Sequence, residues 1–186
     1  MLSHLPNNEQ TASHAGTCSL RVVSGGQTGV DRAALDVAIA LDIPHGGWCP
    51  RGRLAEDGRI PDRYQLQETD SADYAVRTEW NVRDSDATLI LTCGELSGGT
   101  KLTAVLALRY SRPLTVVNLT ETTLPTSVLC WLLRHDIRTI NVAGPREKTC
   151  PGIYELARTF LFPLLRDWKA AYCKGPNLQV PPSETR

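Results

Sequence analysis

Short runs of β-branched and aliphatic residues alternate along the chain with segments whose apolar positions recur every three or four residues. The runs are Leu20 to Ser24, Ala87 to Leu91, Leu114 to Val117 and Ile137 to Val142. They lack the in-and-out alternation of a half-solvated strand, so each predicts a strand covered on both faces. A turn signal and then a helix follow each run, the order that builds a parallel sheet between two helical layers. From Val30 to Leu41, the residues Ala34, Val37, Ala38 and Leu41 share one stripe, and Asp42-Ile43-Pro44 ends the helix. After Pro151-Gly152 a longer stripe runs through Ile153, Leu156, Ala157, Phe160, Leu161, Leu164, Leu165 and Trp168. Tyr74 to Asp84 predicts a helix started by Asp70 or Ser71. Leu102 to Leu108 is apolar nearly all round, which suits the interior of the sandwich or a subunit contact. Pro44 to Gln67 is the least regular stretch, with one short strand expected near His45 to Trp48 and a long ordered loop after it. The expected fold is an α/β three-layer sandwich with a mainly parallel sheet.

Composition narrows the use of that fold. The 186 residues suit one domain, placed at 19–172 between a polar leader (1–18) and a proline-bearing tail (173–186), both read as disordered. Twenty basic residues balance twenty acidic ones, which excludes a general nucleic-acid surface and makes any anion site local. No apolar run approaches the roughly 20 residues needed to cross a bilayer, and the leader has no signal-like core, so no membrane role is expected. The six cysteines are scattered without metal-ligand spacing. Free thiols in a reduced, cytoplasmic setting are the simplest reading, with Cys49 and Cys93 packed as apolar residues.

Two strand-to-helix junctions carry the candidate chemistry. Ser24 to Arg32 holds Gly25, Gly26, Gln27, Thr28 and Gly29, and Gly94 to Lys101 holds Glu95, Ser97, Gly98, Gly99, Thr100 and Lys101. Glycines let a backbone approach a ligand closely, and the first-turn amides with the helix dipole favour an anion. In a doubly wound sheet two such turns can flank the switch point and converge on one guest. Thr28 and Thr100 add hydroxyl donors, and Lys101 is a further cation. A third junction offers Arg146, and the long loop offers Arg51 and Arg53, whose forks suit oxyanions. Arg77, Trp80, Asn81 and Asp84 form one stripe on their helix, facing either the ligand or a partner subunit. On this reading Gly26→Asp abolishes ligand retention by setting a carboxylate against the anion and leaves the fold intact.

The motifs Ser24 to Asp36, Gly46 to Gly58, Thr78 to Asp86, Gly94 to Thr100 and Asn141 to Glu147, in that order, resemble the molybdenum cofactor carrier protein family. The resemblance spans nearly the whole body, and Arg32 and Glu95 of the two junctions stand in the candidate set with the residues above. It implies a Rossmann-like fold, a homotetramer and a non-catalytic carrier that binds, protects and transfers the molybdenum cofactor or a molybdate-type oxyanion. It implies molybdoenzymes or cofactor-biosynthesis proteins as partners, and no protein metal ligands, because the cofactor's own sulfurs hold the metal. The wider superfamily also resembles lysine-decarboxylase-like phosphoribohydrolases, whose catalytic glutamate follows the second glycine turn. Here that helix reads Lys101-Leu102-Thr103-Ala104 without a carboxylate. A nucleoside-monophosphate hydrolase or a nucleotide-sensing module is therefore the alternative.

Overall fold

The computed structural model describes residues 19–173, and the expectations for the leader and for 174–186 lie outside them. Five strands form the main sheet: β1 (Arg21–Val23), β2 (His45–Gly46), β7 (Ala87–Thr92), β8 (Leu114–Asn118) and β9 (Thr139–Ala143). The order is β2-β1-β9-β7-β8, and every pairing is parallel, as with Val22 beside Ile140 and Leu89 beside Val142. The chain thus builds β1 and β2 toward one edge and β7 and β8 toward the other, then threads β9 between the halves. Two small ribbons, β3 (Trp48–Cys49) with β6 (Gln67–Glu68) and β4 (Leu54–Ala55) with β5 (Gly58–Arg59), order the loop region.

Helices α1 (Val30–Ala40), α4 (Pro125–Arg134) and α5 (Ile153–Cys173) cover one face, and α2 (Tyr74–Arg83) with α3 (Gly98–Arg109) the other. The main core joins Val22, Leu89, Val142, Leu161 and Trp168, where a fully buried aliphatic side chain contributes about 1.5–3 kcal/mol. β7 is buried at all six positions, as expected of a continuous apolar run between two neighbours and two helical layers.

Three local expectations change. The strand expected at His45 to Trp48 breaks at Gly47, whose φ of +128° turns the chain from β1 toward β6. α2 starts at Asp73, whose carboxylate accepts from the Ala75 amide at 2.8 Å, because the Ser71 hydroxyl is spent on the Asp73 amide. On α3, Leu106 and Ala107 are buried, whereas Val105 and Leu108 are 53% and 71% exposed, so its apolar circumference is half interior and half surface. Among the described residues no helix is long and apolar enough to cross a membrane.

Candidate functional site

Because β9 lies between β1 and β7, three loops stand abreast at the carboxyl ends of these strands, with Gly144 to Arg146 in the middle. The two glycine turns are therefore separated by the third junction and meet across it. Between them lies a crevice of about 290 Å³, walled by Gln27 and Asp31, by Ala143 to Arg146, by Ser97 to Thr100 with Thr103, and by Tyr74, Arg77 and Thr78 of α2. That is near the lower end of pockets that take small molecules.

The first glycine turn and the start of α1 turn three of their donors inward. The Gln27 amide donates to Asp31 Oδ2 at 3.2 Å, the Thr28 amide to Gln27 Oε1 at 3.0 Å and the Val30 amide to the Pro145 carbonyl at 3.3 Å. What the turn presents instead is a side chain. Gln27 Oε1 also accepts from the Glu56 amide at 2.9 Å, and two N–H donors on one atom fix it as the oxygen. Gln27 Nε2 is then the opposite atom: buried, on a crevice-lining residue, and without a partner among the described residues. An unpaired buried donor costs about 1–3 kcal/mol, so the fold holds it there at a loss.

The second turn keeps its backbone donors. Ser97 caps α3, and its carbonyl takes the Thr100 and Lys101 amides, both at 3.1 Å. The amides of Gly98 and Gly99 precede any reachable helical carbonyl and donate to nothing among the described residues. The positive end of the α3 dipole adds to them.

Two guanidinium groups complete the lining. Arg77, three residues along α2 from Tyr74, reaches Asp31 Oδ2 with Nη1 at 3.2 Å and leaves Nε buried without a partner among the described residues. Its Cζ lies 5.9 Å from the Tyr74 ring centroid, and that of Arg146 lies 4.9 Å from the same centroid. Asp31 is only 3% exposed. Burial pushes its carboxyl above the usual range, and Arg77 opposes that shift.

Of the expected site residues, the structure thus brings together Gln27, Arg77, Ser97, Gly98, Gly99, Thr100 and Arg146. Others lie elsewhere. A Cβ on Gly25 would fall 1.8 Å from Arg77 Nη1, and one on Gly26, at φ +74°, would fall 2.5 Å from Leu66 Cδ1. These glycines make room for protein atoms, so the Gly26→Asp expectation is corrected: the substitution strikes the small core of Leu35, Cys49, Ile60, Tyr64 and Leu66. Thr28, Gly29 and Arg32 face a second hollow of about 650 Å³. There Thr28 donates to Glu56, and Arg32 forks onto Asp57 at 2.6 and 2.7 Å. Arg53 is corrected from ligand fork to internal clasp: it is 7% exposed and donates to the carbonyls of Ile60, Pro61, Tyr64 and Leu66. Asn81 clamps the Trp48 backbone from both sides, at 2.7 and 2.9 Å. Arg51, Glu95 and Lys101 are exposed outside the crevice. Cys49 is fully buried, and the Cys93 thiol is pushed up to about 11 by burial and by Cys150 beside it, which keeps it protonated at neutral pH.

Sequence reasoning leaves Asp31, Tyr74, Thr78 and Thr103 out of the candidate set. The signal for Tyr74 and Thr78 is their helical spacing from Arg77; for Asp31 it is its place in the first turn of α1, beside the glycines.

A profile of the circularly permutated YpsA SLOG family matches residues 22–165. A solved crystal structure from Syntrophus aciditrophicus SB, named "Putative molybdenum carrier protein", superposes with a TM-score of 0.75 at 47% identity. The match covers 78% of this chain and 94% of that one. No curated protein matches the chain.

Proposed function

The chain belongs to the circularly permutated YpsA SLOG family, and from that premise we propose that it is a carrier of the molybdenum cofactor, gripping the anionic phosphate or oxo end of its cargo in the β1–β9–β7 crevice. One observation carries this reading: the two crevice side-chain atoms buried without a partner among the described residues, Gln27 Nε2 and Arg77 Nε, are both donors, and the unengaged Gly98 and Gly99 amides add two more. Unengaged donors of this kind match a guest that brings only acceptors, which an oxyanion does. Hydrogen bonds to charged groups contribute about 1.5–3 kcal/mol each, so four suffice for micromolar binding without a cationic surface. The name of the similar Syntrophus protein supports the choice of cargo. Transfer to molybdoenzymes or cofactor-biosynthesis proteins, and a homotetramer in which the exposed Val105–Leu108 face of α3 is covered, belong to the same proposal.

Protein incubated with the cofactor and passed through gel filtration tests it. Molybdenum and pterin co-elute with the wild type and then activate an apo-molybdoenzyme. Gln27→Glu keeps the Oε1 contacts to Thr28 and Glu56 but turns the free donor into a negative acceptor, and it weakens retention at least about tenfold. Retention equal to wild type in that variant would remove the crevice from the site. The hydrolase reading has one observation in its favour, the Asp31 carboxyl inside the same crevice. Free base released from a nucleoside monophosphate, and lost in Asp31→Asn, would put hydrolysis in place of carriage.

A further inference from the structure

The crevice proposed to grip an oxyanion also holds a buried acid at its wall, an arrangement that sets the charge of what can enter. Asp31, on α1, has its Oδ2 against the Gln27 amide and Arg77 Nη1, both at 3.2 Å. An ionised carboxylate in such a place keeps an effective desolvation penalty of several kcal/mol, and a single guanidinium contact at that distance offsets it only in part. The Ser24 hydroxyl at the end of β1 favours the ionised carboxylate, but burial outweighs it, and the Ser24 proton is already engaged by the Val142 carbonyl at 2.7 Å. The missing Cβ of Gly25 lets Arg77 and Asp31 close directly on the backbone.

The charges around this group come from three elements. Asp31 stands on α1, Arg77 on α2 and Arg146 on the loop after β9, with the neutral Tyr74 ring beside both arginines. With Asp31 ionised the crevice carries one net positive charge; with Asp31 protonated it carries two. An incoming dianion competes for Arg77 and sets a like charge near Asp31, and both effects favour the protonated acid. We propose that Asp31 is the charge-setting residue of the crevice: a dianionic tetraoxo group that seats against Gln27, Arg77 and the Gly98–Gly99 amides enters with one proton from solvent, which resides on the Asp31 carboxyl.

The inference rests on the anion-site reading above, and calorimetry with molybdate separates the two. Titrations at fixed ionic strength, in two buffers of different ionisation heat between pH 6 and 8, give the number of protons taken up per molybdate. Wild type takes up a proton fraction approaching one. Its affinity is highest at low pH and falls by up to tenfold per pH unit as pH rises through the free-state titration of Asp31, levelling off above the bound-state one. Asp31→Asn takes up none, shows a pH-independent affinity, and at pH 8 binds at least as tightly as wild type. Molybdate binding that Gln27→Glu abolishes but that involves no proton uptake by wild type would overturn the role of Asp31 and leave the anion site standing. Uptake retained in Asp31→Asn would overturn that role in the same way. No molybdate binding by wild type, or equal binding by Gln27→Glu, would overturn the anion site itself. The wild-type proton count decides the matter even if the Asn variant does not fold.

Discussion

Arg53 shows how one side chain can look like a ligand group and act as an internal strut. In sequence it sits in a Gly-Pro-Arg loop beside Arg51, where either solvent or an oxyanion would be its natural company. The loop instead folds back so that four of its carbonyls converge on the guanidinium, at 3.0–3.1 Å. Local composition does not announce this, because the acceptors are backbone atoms that any sequence supplies. Arg53→Met strands those carbonyls, and at about 1–3 kcal/mol per unsatisfied buried group the loss should reach about 3–5 kcal/mol, read as a lower urea midpoint. Lysine does not restore it, since one ammonium cannot span four carbonyls in fork geometry. Gly26→Ala is expected to lower stability as well, by about 1 kcal/mol or more, because it adds positive-φ strain to a clash with Leu66 and Ile60. Thermal unfolding of that variant checks it, and an unchanged midpoint would mean that the small core yields more easily than its contacts imply.

At the scale of elements, the strands and helices are legible in the sequence where the apolar period is long and uninterrupted. The stripe predicted from Ile153 to Trp168 is the first four turns of α5, and the buried run at Ala87 is β7. Both glycine turns are visible, but not which of their amides the protein's own side chains take. Asp31 and Gln27 fold back onto amides of the first turn, whereas the side chains that reach the second, Thr92 and Thr103, bond its carbonyls and leave its amides uncapped. Helix starts shift by a few residues, since Ser71 and Asp73 are both good caps and only the path of the chain decides between them. Asp73→Ala removes the cap of the helix that carries Tyr74 and Arg77, and it should cost about 1 kcal/mol in chemical denaturation. It should also weaken anion binding severalfold, because both crevice side chains lie in the first turn it anchors. Gly99→Ala is the contrasting case: a Cβ there meets nothing within 4 Å and the amide remains, so stability and binding should both be preserved.

For the whole molecule, a bound anion is a load shared by three loops and should stabilise them together. At one hundred times its dissociation constant, a ligand specific to the folded state adds about 2.7 kcal/mol. For a chain of this length that corresponds to a rise in Tm of roughly 5–10 °C. Differential scanning calorimetry with molybdate should show this rise in wild type and not in Gln27→Glu. The loops can act jointly because of strand order, which no local pattern encodes: parallel runs of Val, Ile and Leu read alike wherever they sit in a sheet. Arg146 is one of five scattered candidate arginines in the sequence, and the central position of β9 is what carries it to the crevice. That position has a consequence for biosynthesis. Before Thr139–Ala143 leaves the ribosome, β1–β2 and β7–β8 are two unjoined half-sheets, each exposing a bare inner edge. The nascent chain is therefore committed late, its adhesive edges remain open through most of translation, and a product that stops short of residue 139 is a natural client for chaperones.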